Sequence, residues 1–225
     1  MPNGTYGGVR GRFIPSYSIL EMPYSKFAID FHMKLLYNIY IVFMKGSKKM
    51  NKEEYINSIK KVIITEEQIR EKVKEAGKYV ESLYDGKPIL LISILNGSFV
   101  FAADLAREIN VPCEIAFMVA KSYVGSESSG DVNIILDIDK DLSEYNVVIA
   151  EDIVDTGRTL KKVCEILKSR SPHSFKVVSF LDKPKRRVVD FKADYVLFTI
   201  PDTFIVGYGL DYNDYFRNLP YIAEL

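Results

Sequence analysis

Val147-Val148-Ile149-Ala150-Glu151-Asp152-Ile153-Val154-Asp155-Thr156-Gly157-Arg158-Thr159-Leu160 sets an apolar run against an acidic turn that opens into a small, hydroxyl-bearing loop. A strand buried in a parallel sheet reads as a continuous apolar run, and residues 147–150 are predicted to form one. Glu151 and Asp152 then stand at its carboxyl end, where open α/β sheets place their ligands. Residues 155–159 follow with successive backbone N–H groups and the hydroxyls of Thr156 and Thr159, at the start of a helix predicted to reach about residue 168. Unpaired donors and the positive end of a helix dipole make such a loop an anion site. The neighbouring carboxylates would repel a phosphate, so they need another partner. Ribose hydroxyls, which donate hydrogen bonds, or Mg2+, which takes oxygen ligands, both suit them. Side by side, the two features describe the address of a sugar phosphate.

Outward from this stretch, strands alternate with helices. Residues 59–64 read as a short strand, and Thr65-Glu66-Glu67-Gln68 matches a capping box that opens a helix over 66–84. Ile69, Val73, Ala76, Val80 and Leu83 recur along that helix at helical spacing, and Asp85-Gly86-Lys87-Pro88 stops it. Further strands are predicted at 89–95, 113–120 and 176–181, with a helix at 98–110. This alternation argues a parallel α/β sheet with right-handed crossovers. Serine and glycine between residues 122 and 130 mark a loop joining two strands.

With 225 residues, 48% of them hydrophobic and 27% charged, the chain can bury one substantial core and a small appended lobe. Thirty basic and thirty acidic residues cancel, so no global field draws the protein to nucleic acid or to an anionic membrane. Cys113 lies in an apolar run and Cys164 on a predicted helix. They read as buried thiols rather than a bridge or a metal site, which suits a reducing cytoplasm. His32 and His173 lack metal-ligand spacing and receive no chemical role.

The first fifty residues fit poorly with the rest. Residues 1–11 are rich in glycine and polar side chains, and the apolar run 35–43 is too short to span a bilayer. It also comes late for a signal peptide, with no small-residue cleavage site after it. Two readings stay open. The segment is either an added element packed on the domain or at an oligomer interface, or it is upstream sequence and the working protein begins near Met44 or Met50.

The acidic stretch resembles the phosphoribosyl pyrophosphate (PRPP) signature of the type I phosphoribosyltransferases, in the variant of the hypoxanthine-guanine branch. The resemblance runs from about Ile59 to Leu225. It takes in Leu95-Asn96-Gly97-Ser98-Phe99, Lys121-Ser122-Tyr123 with Ser129-Gly130, Leu181-Asp182-Lys183-Pro184, and Val206-Gly207-Tyr208-Gly209-Leu210-Asp211-Tyr212 through Arg217-Asn218-Leu219-Pro220. It implies a five-stranded parallel core, about 89–182, under a hood built from about 51–65 and 183–225. Residues 51–225 would form this domain, and residues 1–50 an atypical extension that the resemblance does not cover.

The implied reaction is purine salvage: Mg2+-dependent transfer of the 5-phosphoribosyl group from PRPP to N9 of hypoxanthine or guanine, giving IMP or GMP and pyrophosphate. The resemblance assigns Glu151 and Asp152 to the ribose hydroxyls near a Mg2+, and the loop Asp155, Thr156, Gly157, Arg158 and Thr159 to the 5′-phosphate. Asp155 becomes the general acid/base at purine N7. Asp211 binds a second Mg2+ with pyrophosphate, Arg217 adds a cation there, and Asn96-Gly97, where the family uses a non-proline cis peptide, brings backbone to the same group. Lys183 donates to purine O6, Phe204 stacks on the ring, and the Ile205 backbone meets the base edge. Ser122 and Tyr123 belong to a lid.

The chain departs from the family's pattern in two places. Many relatives carry lysine where Asn96 stands, which removes a direct charge on pyrophosphate, and Thr203 replaces a basic residue of some relatives, which bears on how the 2-substituent of the base is read. The resemblance further implies a homodimer or homotetramer in the cytoplasm.

Competing classes fit less well. A PRPP-sensing regulator that binds RNA or DNA would want a helix-turn-helix or a basic arm, and the chain has neither. A dinucleotide-dependent oxidoreductase would want Gly-x-Gly-x-x-Gly after the first strand, and Gly207-x-Gly209 comes too late. Within the enzyme class the runner-up is a xanthine-preferring relative.

Overall fold

Strand and helix alternate through residues 50–122 and 132–225, the residues that the computed structural model describes. The extension through residue 49 and the lid positions Tyr123, Ser129 and Gly130 lie outside them. Lys52–Leu225 forms one unit. It begins with a short helix, α1 (Lys52–Asn57), and a strand, β1 (Lys61–Ile64). Helix α2 (Glu66–Tyr84) starts where the sequence places it. Thr65 Oγ1 accepts from Gln68 N at 3.4 Å and Thr65 N donates to Gln68 Oε1 at 2.9 Å, which closes the capping box. Asp85, in the left-handed region at φ 46°, ends the helix.

The central sheet contains β2 (Ile89–Leu95), β3 (Cys113–Ser122), β4 (Val132–Leu136), β5 (Asn146–Val154), β6 (Ser174–Asp182) and β7 (Tyr195–Thr199). Its strand order is β4-β3-β2-β5-β6-β7. Five of the strands run parallel, and β4 pairs antiparallel with β3 at one edge. Helices α3 (Phe99–Glu108) and α4 (Arg158–Lys168) make the crossovers β2-α3-β3 and β5-α4-β6. Side chains alternate across the sheet. Ile89 and Leu91 pack with Ile69, Val73, Phe101 and Leu105 of α2 and α3. Leu90, Ile92 and Ile94 pack on the other face with Leu160, Val163 and Leu167 of α4.

The hood is a separate three-stranded sheet ordered β1-β9-β8, with β8 (Ile205–Val206) and β9 (Ile222–Glu224) supplied by the tail. This agrees with the expected parallel core and hood. Three details differ from the sequence reading. Strand β7 lies beyond residue 182, where the core was expected to end, yet it pairs with β6. Strand β5 continues past Ala150 to Val154, so Glu151 and Asp152 belong to its last turn of pleat. Strand β4 and helix α1 were not anticipated. Among the described residues no helix is long and apolar enough to cross a membrane.

Candidate active site

The order of the sheet fixes where a ligand can enter. After β2 the chain moves outward to β3, and after β5 it moves the opposite way to β6. The carboxyl ends of β2 and β5 therefore flank a topological switch point, the crevice in which open α/β sheets bind ligands. Pairing of β2 with β5 ends at Ser93↔Ala150, whereas β5 stays paired with β6 as far as Val154↔Asp182. Glu151 and Asp152 thus lose their neighbour on one side and meet the turn that follows β2.

That turn is built from buried hydroxyls. Ser98 Oγ donates to Ile94 O at 2.7 Å, and the Ser93 and Ser98 hydroxyls meet at 2.7 Å. The Leu95-Asn96 peptide is cis, as the resemblance implied. Gly97 follows with its Cα against Asp152, where a Cβ would overlap Asp152 Oδ2. From the other side comes Gly209, at φ 100°, with its Cα pressed on Gly97 O. Arg217 holds Gly209 in place, its Nη1 donating to Gly209 O at 2.8 Å, and its Nη2 pairs with Asp211 Oδ1 at 2.7 Å. Asn96, Gly97, Asp152, Asp211 and Arg217, distant in sequence, are brought to one end of the sheet.

The acidic pair is under electrostatic tension. Glu151 Oε2 is shielded from solvent and has no hydrogen-bond partner, whereas Asp152 Oδ1 accepts from Ile153 N at 2.6 Å. Burial, and next the charge of Asp152, hold the Glu151 carboxyl well above the usual range. Burial also pushes Asp152 up to about 6, a rise that the Ile153 N–H and the Arg217 charge restrain. A shielded pair of this kind is relieved by a cation or by donated hydroxyls, so the donor set fits Mg2+ with a ribose diol. Among the described residues no three His, Cys, Asp or Glu side chains converge on one cation position. Asp211 stands apart, engaged with Arg217 and accepting from Asp214 N at 2.9 Å.

Beyond the pair lies a cavity of about 210 Å3 lined by residues 151–157 with Thr159 and Leu160. Helix α4 opens at its rim. Its N-cap position is Gly157, at φ 80°, which has no side chain to cap the first turn. Asp155, which an isolated sequence reading would make a cap, is not one. Its Oδ1 instead lies 2.8 Å from Arg186 Nε. Thr156 Oγ1 is 3.5 Å from Arg158 N, and the Arg158 side chain is exposed. A larger groove of about 600 Å3 between α2, α3 and residues 217–220 shares Arg217 with this site but holds neither the acidic pair nor the helix opening.

Lys183 is only 7% exposed, with its Nζ donating to Thr203 O at 2.6 Å. Its backbone N–H donates to Val154 O at 2.9 Å, which ties it to the end of β5. Phe204 is 55% exposed and stands edge-on to Tyr212, with ring centroids 5.6 Å apart. Ile205 opens β8 opposite Glu224, its side chain buried in the core. Ser122 ends β3. The two cysteines are free. Cys164 is buried, and burial pushes its thiol up to about 12, while Cys113 is half-buried with its thiol also raised by burial.

Sequence reading missed Asp104, Arg186, Arg187 and Tyr208. Tyr208 Oη donates to Asp104 Oδ2 at 2.6 Å and so ties the Gly207–Gly209 loop to α3. Arg186 and Arg187 lie in the basic run 183–187, which reads as a solvated turn unless one knows that it folds back on residues 155–157.

An open α/β sheet with an acidic pair and a helix opening at its switch point defines a protein that handles a phosphorylated sugar, of the phosphoribosyltransferase class. Comparison with known proteins agrees. Residues 64–213 match the family described as "Phosphoribosyl transferase domain". Proteins named hypoxanthine-guanine phosphoribosyltransferase from Staphylococcus aureus (strain Mu50) and Streptococcus agalactiae serotype V are 46% and 48% identical over 170 residues, covering 75% of this chain and 95% and 94% of theirs. A crystal structure of a hypoxanthine-guanine phosphoribosyltransferase from Bacillus anthracis superposes with a TM-score of 0.72 at 46% identity, covering 74% of this chain and 99% of that one. A hypoxanthine phosphoribosyltransferase from Staphylococcus aureus gives 0.74 at 46% identity, covering 79% and 96%. The chain belongs to the phosphoribosyl transferase family, in its hypoxanthine-guanine branch.

Proposed function

We propose that the protein transfers the 5-phosphoribosyl group of PRPP to N9 of hypoxanthine or guanine, releasing pyrophosphate and giving IMP or GMP. The observation that carries this reading is the junction of a shielded acidic pair, whose Glu151 Oε2 has no hydrogen-bond partner, with a helix opening at a glycine N-cap, both lining one small cavity. The bond from C1′ to the pyrophosphate oxygen breaks with its electron pair leaving on pyrophosphate, the N9 lone pair bonds C1′, and the proton on N7 passes to Asp155. Positive charge grows on the sugar in between. The site must therefore fix the phosphate and the diol, support the departing charge and exclude water.

Each group has a candidate holder. The N–H groups of residues 156–159 and the hydroxyls of Thr156 and Thr159 take the 5′-phosphate, with Arg158 at the solvent side. Glu151 and Asp152 take the ribose hydroxyls and one Mg2+, and Asp211 takes a second beside pyrophosphate. Mg2+ would supply charge neutralisation for the departing pyrophosphate. Arg217 and the Asn96-Gly97 backbone face the same group. Lys183 offers two further N–H donors beyond its bond to Thr203 O and reads O6, Phe204 offers a ring face to the base, and the Ile205 backbone borders it. The lid role of Ser122 and Tyr123 completes water exclusion.

The reading also implies a homo-oligomer working in the cytoplasm on PRPP, hypoxanthine, guanine and pyrophosphate, with neither nucleic acid nor membrane as partner. It is tested by the reverse reaction. IMP with pyrophosphate and Mg2+ is expected to yield PRPP and hypoxanthine, while inosine under the same conditions yields neither. Release of hypoxanthine without pyrophosphate would contradict it.

A further inference from the structure

Two carbonyls of the phosphate turn are held from behind. Arg187 Nη1 donates to Asp155 O at 2.6 Å, and the next residue, Val188, donates its N–H to Thr156 O at 3.1 Å. The same guanidinium pairs through Nη2 with Asp182 Oδ1, both side chains being largely buried at 15% and 18% exposure. Its stem lies on the turn as well. A Cβ on Gly157 would stand 2.9 Å from Arg187 Cδ and 3.1 Å from Val189 Cγ2.

These contacts fix which way the peptides face. In a trans peptide C=O and N–H point in opposite directions, and both peptides here are trans. With the Asp155 and Thr156 carbonyls drawn to residues 187–188, the N–H groups of Thr156 and Gly157 point the other way. The cavity bounded by residues 151–157 is lined by Thr156 and Gly157 and by neither Arg187 nor Val188, the residues that hold the carbonyls. Were either peptide to flip, a carbonyl oxygen would replace a donor and repel an anion. A turn with Gly157 at its hinge flips more readily than most, since glycine tolerates both signs of φ. The external clamp opposes that freedom.

We propose that Arg187 is a positioning residue that keeps the 155–157 turn in its anion-accepting orientation by anchoring it to Asp182 at the end of β6. Asp182, its second partner, sits opposite Val154 in the β5-β6 ladder and directly precedes Lys183. One planar fork thus spans the phosphate turn and the strand end that carries Lys183. A lysine at 187 could reach one of the two acceptors at a time, because an ammonium is a point donor without the two-pronged geometry of a guanidinium.

The inference rests on the proposed function, so its test separates the two. IMP and inosine share base and ribose and differ by the 5′-phosphate, and the ratio of their affinities isolates the turn. Titration calorimetry of the full chain is expected to show wild type binding IMP more tightly than inosine. Arg187→Met should lower IMP affinity by about ten-fold or more, the loss typical of a charged hydrogen bond, with inosine affinity unchanged. Arg187→Lys should give a smaller loss in the same direction, and it decides the matter should the Met variant fail to fold. If the variants fold and keep the wild-type IMP-to-inosine ratio, or lose both ligands equally, Arg187 is a structural ion pair and the proposal is overturned. If wild type binds IMP no better than inosine, the functional reading falls first and takes the proposal with it.

Discussion

At the scale of single residues, the proposed function separates groups that bind from the one that moves a proton. Asp155 neither caps α4 nor belongs to the shielded pair; it begins the turn into α4, next to Val154, whose carbonyl accepts from Lys183 N. Asp155→Asn keeps its size and loses the base, so kcat should fall by about 10² to 10⁴ with KM for PRPP little changed. Steady-state kinetics check this, and turnover at the wild-type rate would remove the assigned role. Glu151 and Asp152 behave differently, because their carboxyls are raised by burial, Asp152 to about 6. In the unfolded chain both titrate near pH 4. Above about pH 4 the ligand-free fold holds more protons than the unfolded chain, so the stability contributed by Asp152 is full below about pH 4 and is lost as pH rises through about 6, and that of Glu151 is lost in the same direction. Other carboxylates titrate too, and the comparison must therefore be with Glu151→Gln/Asp152→Asn. The Tm advantage of that variant is expected to grow as the pH is raised from about 4 to about 8. A constant difference across the range would show that the pair is ionised without cost.

At the scale of elements, the site depends on close approaches that only glycine permits, at Gly97 and Gly209. Gly97 lies on Asp152 and Gly209 on Gly97 O, with Arg217 clamping Gly209. Gly97→Ala is expected to leave a folded protein whose kcat/KM for PRPP falls by about 10²-fold, the effect of displacing a catalytic contact by an ångström. Circular dichroism with kinetics checks it, and full activity would mean the contact yields freely. The residues also show which parts of the fold could be read in advance. The capping box at Thr65 and Gln68 and the apolar runs of β2 and β5 are local signals, and all lie where the sequence placed them. Strand β7 carries an equally apolar run, Tyr195–Thr199, but it follows the basic segment 183–187 and was absorbed into the tail. Helix α1 and edge strand β4 are short and largely exposed, so neither shows a strong periodicity. In the site, residues inside motifs were legible. Arg186, Arg187 and the Tyr208–Asp104 pair were not, because their roles arise from contacts between segments up to 104 positions apart that no local pattern encodes.

At the scale of the whole molecule, the site residues brought to the switch point lie between Asn96 and Arg217, and the hood sheet joins β1 to the tail strands β9 and β8. Deletion of residues 1–49 is therefore expected to leave a soluble, active transferase, assayed by nucleotide formation. An insoluble or inactive product would make the extension structural. The central claim is the choice of donor and acceptor, and in the proposed function Lys183 sets its terms. An ammonium donates and cannot accept, so it matches the O6 of hypoxanthine or guanine and meets only another donor in the amino group of adenine. Sites built on one such bond reject the mismatched analogue by roughly 10⁴ or more. The most direct measurement incubates the protein with PRPP, Mg2+ and each of hypoxanthine, guanine, xanthine and adenine in turn, and identifies nucleotides by mass. IMP and GMP with equimolar pyrophosphate, and no AMP, are expected; AMP at a comparable rate, or no nucleotide from any base, would contradict the account.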